Sequence, residues 1–82
     1  MSVIREVVEV LARALTDRPD DVRVVESEHS GTTLVELYVA PGELGRVIGK
    51  QGRTAAALRT LASTAGEKIG KTVTLEIRDG KP

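Results

Sequence analysis

In the stretch Gly45-Arg46-Val47-Ile48-Gly49-Lys50-Gln51-Gly52-Arg53, two glycines stand three residues apart, directly after Val-Ile and among three cationic side chains. Glycine has no Cβ, so such a pair lets the backbone turn sharply and brings peptide groups close to a ligand. A helix is expected to begin at Arg53, where unpaired N–H groups of Gly52 and Arg53 and the helix dipole favour a negative charge. Lys50 and Arg53 add a mobile and a forked donor, with Arg46 beside them. These features suit a phosphate backbone. Glycine makes up 8 of the 82 residues, so the spacing carries weight only through what flanks it.

Upstream, residues 22–28 and 33–39 are rich in Val, Leu, Thr and Tyr. Between them His29-Ser30-Gly31-Thr32 has the small, polar character of a hairpin turn. Val35, Leu37 and Val39 alternate with Leu34, Glu36 and Tyr38, so the sheet is expected to be covered on one side only. Residues 3–15 place Ile4, Val7, Val8, Leu11 and Leu15 at three- and four-residue steps, which predicts a helix with one buried stripe, capped by Ser2. Pro19 ends that region, because it disfavours helical geometry at Arg18. Downstream, residues 43–48 read as a short helix. A long helix from Arg53 follows, with Leu58, Leu61, Ala62, Ala65 and Ile69 on its buried face and Gly70 as its stop. Val73, Leu75 and Ile77 alternate in a last strand. The order is α-β-β-α-α-β. The core motif over residues 33–78 is a strand, a two-helix crossover and a strand, which joins parallel neighbours. The expectation is an α+β fold, with a three-stranded sheet covered on one face by three helices.

The chain is expected to form one domain over residues 1–82. Formal net charge is zero, but its distribution is uneven. Residues 1–28 hold four basic and seven acidic side chains. Residues 41–59 hold Arg46, Lys50, Arg53 and Arg59 against Glu43 alone. Local positive charge is what a small phosphate site requires. The absence of cysteine removes disulfides and thiolate metal sites. No apolar run reaches the ~20 residues that span a bilayer, and no secretory pattern opens the chain, so a cytoplasmic location is expected.

With Val-Ile before it and helices on both sides, Gly49-Lys50-Gln51-Gly52 resembles the Gly-x-x-Gly loop of KH domains, which clamp about four nucleotides of single-stranded RNA. The element order resembles the type II variant, over roughly residues 2–78. Glu43-Leu44-Gly45-Arg46-Val47-Ile48-Gly49-Lys50-Gln51-Gly52-Arg53-Thr54, with Ala57-Leu58-Arg59 after it, is similar to the small bacterial KhpA family. That resemblance implies an RNA chaperone or post-transcriptional regulator. It also implies a homodimer, or a heterodimer with a larger KH protein of the KhpB kind, and a role in cell-wall homeostasis and cell length. Carried over by position, Gly49, Lys50, Gln51 and Gly52 are the clamp, Arg46, Val47 and Ile48 flank it on the short helix, and Arg53 opens the next one. Leu37 and Val39 would contribute to the groove floor.

Other features carry less. There is no Phe or Trp and a single Tyr, which disfavours modules that stack bases on aromatics, and Tyr38 reads as a strand residue with a solvated hydroxyl. Gly66-Glu67-Lys68-Ile69-Gly70-Lys71-Thr72 imitates a phosphate loop, but it has three residues between its glycines where the motif needs four. His29 reads as a solvated turn residue, and Asp20-Asp21 as loop solvation. One of Val47 and Ile48 is expected in the core. No nucleophile has a base partner, so neither an enzyme, a metal, a cofactor nor a small-molecule substrate is expected. The same fold could instead serve chiefly as a protein-interaction subunit or a ribosome-associated factor.

Overall fold

A computed structural model describes residues 2–82. Helix α1 spans Val3–Leu15. Ser2 caps it, its Oγ accepting the Arg5 N–H at 3.1 Å, a contribution of about 1 kcal/mol. Ile4, Val8 and Ala12 are its buried residues. Leu15, expected in this stripe, is 36% exposed, and the next core position falls four residues after Ala12 on Thr16. Thr16 has already left the helix for extended backbone.

A single 3₁₀ turn over Pro19–Asp21 leads into β1, Arg23–His29, which pairs antiparallel with β2, Thr32–Val39. The turn is shorter than the sequence suggested. Only Ser30 and Gly31 form it, both at positive φ (49° and 83°), as a two-residue type I′ hairpin requires. His29 therefore lies in the ladder opposite Thr32, with its Nε2 3.0 Å from Ser27 Oγ.

Strand β3, Thr72–Asp79, runs parallel to β2 from Thr32↔Thr72 to Val39↔Asp79, giving the order β1-β2-β3. The crossover between them contains α2, Leu44–Ile48, a 3₁₀ turn over Lys50–Gly52, and α3, Arg53–Lys68. The end of α3 is a Schellman motif, with the Lys71 N–H on the Gly66 carbonyl (2.9 Å) and the Gly70 N–H on that of Glu67 (3.2 Å), which satisfies two orphan carbonyls at the stop expected there.

The core lies between one sheet face and the helices. Val35, Leu37 and Val39 are fully buried and cluster with Ile4, Val8, Val47, Leu58 and Ala62. On the opposite face Leu34, Glu36 and Tyr38 are half-exposed. The Tyr38 hydroxyl donates to Glu36 Oε2 at 3.2 Å, and Arg78 Nε reaches the same oxygen at 3.3 Å. This is the α+β architecture expected for a KH fold. Two apolar residues of the predicted α3 stripe are not in the core: Leu61 is 46% and Ile69 45% exposed. At about 100° per residue Leu61 lies about 60° around the helix from Leu58, and Ile69 lies past the last helical turn.

Candidate nucleic-acid interface

Two anchors fix α2. Val47 is fully buried, with Leu44 packed against the core, so Val47 is the core member of the Val47–Ile48 pair and half-buried Ile48 is left at the surface. The second anchor is polar. Glu43 Oε1 accepts from Thr16 Oγ1 and from the Asp17 N–H, both at 2.6 Å, and its Oε2 lies 3.4 Å from Arg46 Nε. Its side chain is 12% exposed. The Thr16 hydroxyl, then the Asp17 amide, hold the Glu43 carboxyl below its ordinary pKa, against a smaller opposing effect of desolvation. The start of α2 is thus tied to the end of α1. Arg46 is drawn into the same cluster, with its Nη2 2.8 Å from Asp17 Oδ2.

Gly49 then departs from the helix at φ 76°, ψ 173° while its N–H donates to the Gly45 carbonyl at 2.9 Å. Gln51 (φ 58°, ψ 25°) and Gly52 (φ 71°, ψ 12°) are both left-handed. A non-glycine residue in that region is uncommon and marks a constrained bend. Gln51 Oε1 accepts from Arg53 Nη2 at 2.7 Å. The two glycines are not equivalent. A Cβ on Gly49 would lie 2.2 Å from Thr54 Oγ1, whereas one on Gly52 would meet nothing within 4 Å.

The free amides are not those expected from the sequence. The Gly52 N–H donates to the Gly49 carbonyl at 3.1 Å, and the Arg53 N–H to that of Lys50, because the loop is wound as a 3₁₀ turn. Within the loop, the amides of Lys50 and Gln51 are the two for which the described residues supply no acceptor. Both side chains are exposed, as is that of Arg53. Neither Lys50 nor Arg53 has an acidic partner among the described residues, whereas Arg46 has two. Leu37 and Val39, expected as groove floor, are fully buried beneath the helices and cannot touch a ligand. Ile48 is the aliphatic surface that remains beside the loop. Sequence reasoning missed Glu43 and Asp17 as organisers of α2. The only available signal was that Glu43 is the sole acidic residue in an otherwise basic window.

The model of the family described as KhpA/KhpB, KH domain matches residues 5–77. The chain belongs to this family. The RNA-binding protein KhpA of Aquifex aeolicus is 54% identical over 77 residues, covering 94% of this chain and 98% of that protein. That of Halalkalibacterium halodurans is 47% identical, covering 93% and 100%. Among solved structures, Era in complex with MgGDPNP and nucleotides 1506–1542 of 16S ribosomal RNA matches with a TM-score of 0.63 at 22% identity over 93% of this chain. A second, Aquifex aeolicus Era bound to GDP and AlF4−, gives 0.66 at 22% identity over 98%. The chain spans 29% and 31% of those two proteins, and the likeness concerns the fold.

In this KhpA/KhpB-family domain the Glu43 clamp predicts a pH response. A carboxyl held lower in the folded than in the unfolded state stabilises fully above the unfolded value and loses that contribution as pH falls through the folded one. Glu28, lowered chiefly by its hydrogen bond from Lys71, acts in the same direction. Melting temperature is expected to stay level from neutrality down to about pH 5 and to fall below the ordinary carboxyl value of 4.5. Glu43→Gln should flatten that acid limb in thermal melts followed by circular dichroism. An unchanged limb would show that the clamp does not stabilise α2.

Proposed function

We propose that the chain is a non-catalytic module for single-stranded RNA that holds the sugar–phosphate backbone at Gly49-Lys50-Gln51-Gly52. The observation that carries this reading is the exposed left-handed bend, in which the free Lys50 and Gln51 amides lie beside two cations without acidic partners. The amides supply directional donors to a phosphate oxygen. Lys50 and Arg53 supply charge, and Ile48 an aliphatic surface for a base. Arg46 enters only by exchanging Asp17 for a phosphate. An exposed ion pair of this kind is worth about 0–1 kcal/mol, which makes the exchange inexpensive.

The test is a titration against single-stranded RNA at two salt concentrations. Lys50→Asp with Gln51→Asp is expected to reduce affinity at least about tenfold and to lower the dependence of log K on log salt by about 0.7 for the one lost lysine contact, with the melting temperature retained. Affinity equal to wild type would instead favour the fold's use in protein interaction or on ribosomal particles.

One loop reaches few nucleotides, so useful affinity calls for a second copy or a second KH protein. Val3, Val10 and Leu61, 42%, 65% and 46% exposed, border an apolar hollow of about 420 Å³ between α1 and α3. A patch of this kind suits the self-matching contact of a twofold homodimer. Sedimentation is expected to show a dimer that Val10→Glu converts to a folded monomer. The finer role, as a cytoplasmic RNA chaperone or post-transcriptional regulator working with a KhpB-like protein in cell-wall homeostasis and cell length, rests on the family resemblance. It is tested by sequencing the RNA crosslinked to the chain in cells.

A further inference from the structure

A second hollow lies where β2 and β3 end and β1 begins, away from the Gly-x-x-Gly loop. It is a cleft of about 650 Å³, with Arg18, Arg23 and Lys81 beside one acidic side chain, Asp21, and with Pro41 and Pro82 in its lining. Among the side chains of the lining, three are cationic and one is acidic, in a chain of zero net charge. The Arg23 guanidinium is fixed in place, with its Nη1 donating to the carbonyls of Asp20 and Val22, both at 2.8 Å. That leaves its other nitrogens for a ligand. Arg18 spends its Nε on Asp21 Oδ2 at 3.0 Å and keeps its terminal nitrogens. Lys81 has no acidic partner among the described residues. The segment carrying it is held against the sheet by the Gly80 N–H on the Val39 carbonyl, 2.9 Å. A metal ion would call for more carboxylates, and an apolar ligand would not call for three cations.

We propose that this cleft is a second nucleotide subsite for the RNA strand held at Gly49–Gly52, taking a phosphodiester between Arg18, Arg23 and Lys81 and a base against the two proline rings. Guanidinium forks match phosphate oxygens, and compact saturated rings offer a base van der Waals contact in a chain without Phe or Trp. The subsite rests on the RNA reading above. Pro41 and Gly49 are eight positions apart in the chain, so the two sites are less than about 29 Å apart, and α2 winds part of that length. One strand longer than the four nucleotides of a KH groove can then reach both.

The experiment compares four-nucleotide and twelve-nucleotide single-stranded RNA by fluorescence anisotropy on the full chain. Wild type is expected to bind the longer RNA more tightly. Arg23→Gln with Lys81→Gln should reduce affinity for the longer RNA about fivefold, leave the shorter within about twofold, and lower the salt slope on the longer RNA by about 1.4, two contacts at about 0.7 each. Lys81→Gln alone removes no hydrogen bond of the fold and should lower the slope by about 0.7. A control, Arg13→Gln with Lys68→Gln, removes two exposed cations elsewhere and should change neither RNA by more than about twofold. Lys50→Asp with Gln51→Asp should weaken both lengths. If the cleft variants bind the longer RNA as wild type does, or lose equally on both lengths, the subsite is overturned while the loop reading stands. If wild type binds neither length, both fall together.

Discussion

Gly49→Ala is expected to weaken RNA binding at least about tenfold and to destabilise the domain by about 3 kcal/mol, whereas Gly52→Ala should cost about 1 kcal/mol and change affinity only about threefold. The difference follows from where each glycine sits. At φ 76°, ψ 173° Gly49 occupies a region that is essentially closed to other residues, at about 1–3 kcal/mol for any that is forced in. Its added methyl would also lie 2.2 Å from Thr54 Oγ1 and 2.7 Å from Thr54 Cβ, so the start of α3 must shift. Gly52 is in the left-handed helical region with open space where its Cβ would be, and the penalty there is about 1–2 kcal/mol. A tenfold loss of affinity is about 1.4 kcal/mol, the loss expected if moving the Lys50 and Gln51 amides breaks the backbone contact proposed for them. Anisotropy titrations and thermal melts on both variants decide the matter. Equal damage from the two substitutions would contradict the geometry of the bend.

Leu37→Ala is expected to lower stability by about 2–5 kcal/mol. A domain of this size holds roughly 4–12 kcal/mol in total, at about 0.05–0.15 per residue, so the variant should lose a large share of its stability. Leu61→Ala, a deletion of the same atoms, should change monomer stability by no more than about 0.5 kcal/mol. Leu37 is fully buried at the centre of the sheet, while Leu61 is 46% exposed on α3. Urea unfolding of both variants on a Val10→Glu background, where dimerisation does not contribute, provides the comparison. Similar losses from the two would place Leu61 in the core and undo the exposed apolar face of α1 and α3.

Those two leucines also show how far the sequence could be read. Both stand at apolar positions of periodic segments, Leu37 on one face of an alternating strand and Leu61 on the expected buried face of a helix. The alternation of Val35, Leu37 and Val39 is unambiguous because a strand has only two faces. A helix such as α3 spreads its residues around a full circle, and with Ala55, Leu58, Ala62 and Ala65 already defining the contact, Leu61 lies to one side of it. The core motif and its loop were legible for a simpler reason. Gly49 and Gly52 sit between two helices, both at positive φ, and glycine is the residue that local geometry favours there. The direction of the loop's amides was not legible. Winding Lys50–Gly52 into a 3₁₀ turn uses the donors of Gly52 and Arg53, and nothing in the composition distinguishes that turn from an open bend.

The sequence by itself determined the order of elements, the parallel crossover and the position of the Gly-x-x-Gly loop, because these depend on local periodicity and on backbone conformations that particular residues permit. Tertiary structure alone decided which charges remain available: Asp17 and Glu43, 29 and 3 residues from Arg46 in the chain, converge on it, while Lys50 and Arg53 have no acidic partner among the described residues. It likewise gathered Arg18, Arg23 and Lys81 around one cleft. Charge pairing depends on distance in space, and only the packing of α1 against α2, and of the strand ends against one another, sets those distances.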